Sequence, residues 1–261
     1  MKLIAKQSIN TWAPARLGLK LALVMAFAAL TVASAAPDAA RLQPFSSATE
    51  GAPPPPWRVV ALPDPKIAIT EFQTTALDGG TVLRLRANQS YGTLSHALPQ
   101  HVPSTHAALQ WRWRLEQPLA SPNLRSKDGD DAALKVCAMF DMPLDRLGFV
   151  ERNLMRLARA RSGEPLPAAV LCYVWDNTLQ PGTLLNNAYT ARVRYLVLNG
   201  TEAPLRQWAS HSRNLQQDFK RAFGNESPSV PPLVAIVVGA DADNTGGTSL
   251  AYVGDVALVE Q

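Results

Sequence analysis

The sequence lacks the short motifs that identify many enzyme and cofactor-binding classes. It contains no G-x-S-x-G segment, no phosphate-binding P-loop and no G-x-G-x-x-G turn. It has only two cysteines and four histidines, and neither type shows the spacing of a metal site. The classes that remain open are a binding protein, a scaffold, and an enzyme that works with carboxylates.

The chain also lacks an excess of charge once its N-terminal segment is set aside. It has 25 Lys and Arg against 21 Asp and Glu, but residues 1–35 contain four of the basic residues and no acidic one. The rest of the chain therefore has 21 residues of each sign and a formal net charge of zero. Because a nucleic-acid-binding protein needs a basic surface, we expect no nucleic-acid partner.

Residues 1–35 have the order of an export signal. Four basic residues come first, a short apolar run follows over residues 21–32, and Ala33-Ser34-Ala35 forms an A-x-A cleavage site. The alternative is an uncleaved anchor, but the run is shorter than the roughly 20 residues of a spanning helix. We expect a periplasmic or secreted protein that begins at about Ala36, with no transmembrane segment after cleavage.

Residues 36–56 are rich in Ala and Pro, which predicts an extended tether. Residues 57–261 then suit a single domain. Short segments with strand character recur along it, and in the clearest, Leu109–Leu115, apolar residues alternate with Gln and Arg. The pattern predicts an all-β fold, a jelly-roll-like β-sandwich, with two short amphipathic helices inserted between strands.

The two helices are predicted over residues 143–161 and 214–223. In the first, apolar residues from Leu144 to Ala158 share one arc, and three arginines lie opposite. This helix either binds an anionic lipid or polymer through its basic side, or covers a sheet edge with its apolar side. We favour the second interpretation.

Cys137 and Cys172 each lie inside a predicted strand. In an oxidising compartment they could form a disulfide, and the alternative is two buried free thiols. Strand pairing cannot be determined from one sequence, so both alternatives stay open.

An acidic loop follows the apolar segment Leu233–Val238. Its residues Asp241, Asp243 and Asn244, with a Gly to close the turn, match the first half of a calcium-binding loop. Further ligands would come from Asp255, or from Asp130 and Asp131 in an earlier acidic segment. A bound Ca²⁺ is one alternative, a turn that bonds its own backbone is another, and Arg213 is a third source of counter-charge.

A second group of candidate ligand-binding residues lies elsewhere. Trp175 could stack on a sugar ring while Asp176 bonds hydroxyl groups, or Trp175 could be a core residue beside a polar turn. Arg213 and Asp218 could bind a ligand or form a structural ion pair.

Several of these segments together resemble one family. The chain resembles the bacterial domain-of-unknown-function family 3047 in four segments, which occur in the order Asp130–Val136, 163–175, 208–224 and 241–246. The resemblance covers about residues 57–260. It implies export, no established activity, and a jelly-roll-like sandwich similar in shape to carbohydrate-binding modules. The similarity in shape to these modules is a fold analogy and does not establish function.

The leading hypothesis from sequence is an exported, non-catalytic β-sandwich that binds a glycan or another envelope component. One alternative is a hydrolase that uses a carboxylate pair, from Asp130, Asp131, Asp241 and Asp243, on a polysaccharide. The other is a scaffold with no small ligand.

Overall fold

The computed structural model describes residues 42–62, 64–162 and 166–260. These residues form two β-sheets and two α-helices. The predicted signal peptide and residues 36–41 of the predicted tether lie outside the described residues.

The elements follow one another along the chain as short strands with a few helical turns. The strands are β1 Arg58–Val60, β2 Ala68–Ile69, β3 Glu71–Leu77, β4 Gly80–Asn88, β5 Ser90–Val102, β6 Ala107–Gln117, β7 Leu134–Phe140, β8 Ala169–Trp175, β9 Leu184–Asn186, β10 Val193–Asn199, β11 Ala209–Asn214, β12 Leu233–Asp241, β13 Thr248–Val253 and β14 Ala257–Glu260. The helices are α1 Phe149–Ser162 and α2 Leu215–Phe223.

The strands form an eight-stranded and a six-stranded sheet. The larger has the order β1-β5-β12-β7-β8-β10-β9, with β2 also paired to β5. The smaller has the order β11-β6-β13-β4-β3, with β14 also paired to β6. Pairing is antiparallel except between β8 and β10 and between β2 and β5. The predicted all-β, jelly-roll-like sandwich with two inserted helices is confirmed.

Aromatic side chains fill the space between the sheets. Trp111 and Trp113 of β6 are buried, as their alternation with Arg112 and Arg114 predicts. The ring of Trp111 lies 5.1 Å from that of Tyr173 on the facing sheet. Contacts of this kind between sheets account for much of the buried apolar area that stabilises a sandwich.

The two cysteines form a disulfide on the other face of the larger sheet. Cys137 and Cys172 are directly opposite each other in the β7–β8 pair and are buried. They belong to a second, smaller apolar cluster that includes Tyr195 and Val237. Leu124, from the loop before β7, belongs to the same cluster, so loop residues cover part of this outer face. This explains why β7 and β8 are buried on both sides and largely apolar, with Lys135 as the charged exception.

The prediction of a tether is wrong for residues 42–56. Phe45 is fully buried, and its ring lies 5.0 Å from that of Trp57. The main chain at Gly51 pairs with Thr74 of β3. The folded part therefore begins before Trp57, because Leu42 and Phe45 add apolar area to the core despite the surrounding prolines.

Helix α2 agrees with its prediction. Asn214 is the N-cap, and its side chain accepts a hydrogen bond from the main-chain N–H of Gln217 at 2.9 Å. Leu215, Phe219 and Phe223 form the buried stripe.

Helix α1 differs from its prediction in both extent and orientation. It begins at Phe149, and Leu144 lies before it in a short 3-10 turn. The apolar arc that was expected to cover a sheet edge faces solvent instead, with Val150 71% exposed. No helix within the described ranges is long and apolar enough to cross a membrane.

Candidate functional site

The acidic segments that the sequence places far apart meet at one end of the sandwich. Asp241 ends β12, and its main-chain N–H donates to the carbonyl of Ala132 just before β7 at 3.0 Å. One carboxylate oxygen from each of Asp131, Asp241 and Asp243 lies within 4.8 Å of the others. The predicted convergence of the two loops therefore holds in the structure.

Lys135 provides the counter-charge within this acidic cluster. Its Nζ donates to Asp241 Oδ2 at 2.6 Å, and Asp241 Oδ1 accepts from the N–H of Ala132 at 2.7 Å. Burial alone would lower the pKa of Lys135, but the Asp241 carboxylate outweighs that effect and raises it. The buried ammonium and carboxylate therefore form an ion pair.

A glycine opposite Lys135 makes this arrangement possible. Gly239 of β12 pairs with Lys135 of β7, so the two residues are side by side in the sheet. A Cβ at position 239 would lie 3.0 Å from Lys135 Cε. The lysine side chain runs across the space that any other residue would occupy.

Asp131 fixes the loop that follows β12. Its Oδ1 accepts hydrogen bonds from the main-chain N–H and the side-chain amide of Asn244, each at 3.2 Å. Its Oδ2 accepts from the N–H of Thr245 at 2.7 Å and from the hydroxyl at 2.6 Å. Asn244 Oδ1 in turn accepts from the Tyr189 hydroxyl at 2.7 Å. Asp131 is thus a fully bonded loop anchor.

Asp130 and Asp243 are the less satisfied members of the cluster. Asn187 donates to Asp130 Oδ2, while Oδ1 of Asp130 is buried and has no hydrogen-bond partner within the described part of the chain. Burial, followed by the nearby Asp241 charge, raises the pKa of Asp130 to about 7. Burial also raises the pKa of Asp243, whose Oδ1 likewise has no hydrogen-bond partner in the described ranges. Burial thus shifts both carboxyl groups towards their protonated forms.

Donors of the protein compete with a cation at the predicted calcium site. The four oxygens of Asp131 and Asp241 already accept from N–H, O–H and ammonium donors. Asp255, predicted as a further ligand, lies beyond the opposite end of β13, roughly 20 Å along the strand. Its oxygens accept from the N–H and the hydroxyl of Ser46 at 2.8 and 2.5 Å. The oxygens of Asp131 and Asp241 are therefore occupied by donors of the protein, and Asp255 holds the N-terminal segment.

Arg213 and Asp218 form an internal ion pair rather than part of the acidic cluster. The guanidinium donates to both carboxylate oxygens at 2.9 and 2.7 Å. The buried Tyr173 hydroxyl donates to the same carboxylate at 2.9 Å. This network links β11, α2 and β8, and it matches the structural alternative for these residues.

Trp175 and Asp176 also have structural roles. Trp175 is buried, with its ring 6.1 Å from that of Trp113, so it cannot stack on a sugar that approaches from solvent. Asp176 Oδ1 accepts from the N–H groups of Thr178 and Leu179, both at 2.7 Å. The structure therefore places both residues as the core-and-turn alternative describes.

An open groove of about 640 Å³ lies on the six-stranded sheet. It is located where β13 ends at Val253 and β14 begins at Ala257, both paired to β6. The break between the two strands at residues 254–256 opens the surface beside β6. The groove is lined by Ser46, Thr81, Gln110, Trp111, Arg112, Ser210, His211, Ser212, Gly254, Asp255 and Ala257.

Side chains of β6 and the edge strand β11 supply the polar lining. Gln110 is opposite Ser212 and Arg112 is opposite Ser210, so the four side chains share the outer face. The Arg112 guanidinium lies 4.6 Å from the ring centre of Trp208, at the start of β11. Within the described ranges no carboxylate lies within ion-pair distance of Arg112. Gln110 Nε2 donates to Ser212 Oγ at 3.3 Å within this lining. The groove thus combines polar groups, a cation and a neighbouring aromatic ring.

Two nitrogen-bearing rings lie beneath the groove. The buried Trp111 Nε1 has no hydrogen-bond partner among the residues that the structure describes. The His211 Nε2 lies 2.8 Å from Asn199 Oδ1, and burial followed by the Arg213 charge lowers the pKa of His211 to about 4. His211 is therefore neutral at physiological pH.

The sequence prediction missed Lys135 and the whole of β11. Lys135 carried a signal, since it is one charged residue within the otherwise apolar β7. Strand β11 reads Ala-Ser-His-Ser-Arg-Asn and lacks the alternation of apolar residues that identifies strands. Its inner side chains are instead His211 and Arg213, which bond to polar groups of the core.

The fold and the groove define a jelly-roll-like β-sandwich protein with an open polar groove on one sheet. The chain belongs to the family described as "Protein of unknown function (DUF3047)", whose model matches residues 55–257. A comparison with curated proteins finds no match.

Solved structures with a similar course of the chain include binding modules and glucanases. A family 11 carbohydrate-binding module from Clostridium thermocellum, in complex with a mixed-linked tetrasaccharide, has a TM-score of 0.43 at 8% identity, covering 85% of this chain and 95% of the module. A family 12 xyloglucanase from Bacillus licheniformis has a TM-score of 0.42 at 5% identity, covering 75% and 88%. Likenesses this low carry no inference about function.

Proposed function

We propose that this protein is an exported, non-catalytic β-sandwich that binds a glycan or another envelope component in the groove on its six-stranded sheet. The observation that carries this proposal is the groove's lining. Gln110, Ser210 and Ser212 offer both donors and acceptors, as hydroxyl-rich ligands require. Arg112 adds donors, and the adjoining Trp208 ring offers an apolar face.

The charge in the groove favours a ligand with an acidic group. Arg112 has no carboxylate partner among the described residues, while both oxygens of Asp255 are occupied by Ser46. A sugar carboxylate or sulfate would pair with this guanidinium through two parallel hydrogen bonds. An acidic glycan therefore fits better than a neutral one.

The carboxylates of the groove favour binding over hydrolysis. Glycoside hydrolysis generally needs two carboxyl groups about 5–10 Å apart across the cleft. Within the described part of the chain, Asp255 is the one carboxylate in the lining. Of the pair members suggested from sequence, Asp130, Asp131 and Asp241 are buried outside the groove lining. Asp243, the fourth, is half-buried and lies in the acidic cluster.

Export is proposed from the N-terminal sequence. The Cys137–Cys172 disulfide supports it, because such bonds form and persist in oxidising compartments. Intact mass of protein recovered from the periplasm or medium is expected to correspond to a chain that begins at about Ala36. A mass that includes residues 1–35 would contradict export with cleavage.

The binding proposal is tested with a glycan array of the exported protein, followed by titration with the strongest acidic oligosaccharide. We expect Arg112→Gln to weaken binding by about tenfold or more, since hydrogen bonds to charged groups contribute about 1.5–3 kcal/mol. Arg86→Gln is the matched control, because Arg86 is exposed on the same sheet but outside the groove. An array without any ligand, or equal effects of the two substitutions, would refute the proposal.

A further inference from the structure

Helix α1 has its apolar side turned away from the protein. Four large side chains on this side are exposed: Phe149 (77%), Val150 (71%), Leu154 (61%) and Leu157 (46%). Val150, Leu154 and Leu157 are spaced four, three and seven residues apart and share one side of the helix, and Phe149 lies at the edge of that side. On the opposite side, Met155 is buried against the main core.

Polar side chains attach the helix to the rest of the protein. Glu151 accepts from Arg192 Nε at 2.7 Å. Arg152 donates to the carbonyl of Leu147, and Arg159 donates to that of Leu166, both at 2.8 Å. These contacts fix which side faces inward. The solvent-facing apolar side is therefore imposed by specific bonds and is not a loose packing of the helix.

The charge around the apolar side is positive. Arg156 and Arg161 are exposed on the helix, and Arg146 is exposed in the turn before it. Glu151, the acidic residue of the helix, is occupied by Arg192. Asp145 is an exposed acidic residue beside Arg146. A ridge of large apolar side chains with flanking arginines complements a surface that is apolar below and anionic above.

We propose that α1 docks this protein onto the surface of an anionic lipid bilayer, with its axis in the membrane plane. The apolar side chains enter the boundary between head groups and acyl chains, and the arginines pair with lipid phosphates. Each arginine near such a surface contributes roughly a fivefold gain in affinity.

The size of the apolar side favours a bilayer over a second copy of the chain. From Phe149 to Leu157 the ridge is about 12 Å long. A stable protein interface needs about 800 Å² from each partner, which four side chains of one helix do not supply. A fluid bilayer adapts to a narrow ridge and needs no matching surface.

An environment-sensitive dye on α1 tests the proposal directly. Asn153 lies on the exposed side between Phe149 and Leu157, so Asn153→Cys carries the dye, and Arg125→Cys, exposed in a distant loop, carries the control dye. The exported protein is titrated with phosphatidylcholine vesicles, with or without roughly 30% phosphatidylglycerol. We expect a blue shift at position 153 only, and only with phosphatidylglycerol. The same shift at higher protein concentration without vesicles would assign the surface to a dimer and overturn the proposal.

Paired substitutions separate the apolar and the electrostatic contributions. In the dye-labelled protein, Phe149→Gln with Leu154→Gln is expected to weaken vesicle binding by about tenfold or more. The control is Ile69→Gln with Leu205→Gln, which are exposed apolar residues outside the helix. The double substitution Arg156→Gln with Arg161→Gln is expected to weaken vesicle binding by about 25-fold. The control for this pair is Lys66→Gln with Arg125→Gln, which removes two charges outside the helix. Binding unaffected by the helix substitutions would refute the proposal.

Discussion

The Nζ of Lys135 lies 2.6 Å from Oδ2 of Asp241, and these two side chains are only 7% and 4% exposed. Removing one partner of such a pair leaves a buried charge without compensation. We expect Lys135→Met to destabilise the fold by about 3–5 kcal/mol. Urea denaturation of Lys135→Met, Asp241→Asn and the double variant measures the coupling. The double variant should lose clearly less than the sum of the single losses, and additive losses would show that the pair is not coupled.

The stability of the protein should depend on the ionisation of Asp130. Its pKa is about 7 in the folded protein against an ordinary value of 3.8. Between these values the folded protein binds a proton that the unfolded chain has released, so stability falls as the pH rises. The loss attributable to this group is at most about 4 kcal/mol between roughly pH 4 and 7.

Comparison with Asp130→Asn isolates this contribution, because asparagine does not titrate. His96 and His211 have lowered pKa values and act in the opposite direction, but they are present in both proteins. The difference in unfolding free energy, wild type minus variant, should decrease as the pH rises from 5 to 8. A difference that is constant over this range would place the pKa of Asp130 near its ordinary value.

Calcium should have little effect on the melting temperature. The carboxylates of Asp131 and Asp241 are already bonded to donors within the protein, and Lys135 supplies the positive charge. A ligand that binds only the folded state would raise the melting temperature. We therefore expect values in millimolar Ca²⁺ and in chelator that agree within about 1 °C. A melting temperature that rises in Ca²⁺, and no longer rises in the double variant Asp241→Asn with Asp243→Asn, would instead support a calcium site here.

Trp113 should be among the most costly core residues to truncate. It is fully buried between the sheets, and its Nε1–H donates to Asn199 Oδ1 at 2.8 Å. Trp113→Ala should destabilise the protein by about 3–5 kcal/mol in urea denaturation. The control is Trp208→Ala, because Trp208 is half-buried beside the groove. Its loss of stability should be less than half that of Trp113→Ala. Equal losses would contradict the assignment of Trp113 to the core.

Much of the sandwich follows from short-range patterns in the sequence. Alternation identifies β6, and the Asp78-Gly79 turn that joins β3 to β4 has the positive φ angles of a tight hairpin. The acidic cluster was partly predictable too, since Asp241 and Asp243 are two residues apart and share a face.

The remainder depends on pairing that no local pattern contains. The position of Lys135 beside Asp241 requires that β7 lie next to β12, and the sequence does not state this. Periodicity shows which residues of α1 share a side, but it does not show which side faces the protein. Phe45 lies among prolines and alanines, so composition hid the contact of its segment with Trp57.

The position of β12 has a consequence for how the chain reaches its native state. In the larger sheet β12 lies between β5 and β7, although both of those strands are synthesised long before residues 233–241. Until the C-terminal part of the chain arrives, each of them has an open edge that can pair with other chains. Folding that waits for so distant a partner is slow, and it exposes the incomplete sheet to aggregation. Completion of the sandwich is therefore a late event, governed by loop closure across more than half of the chain.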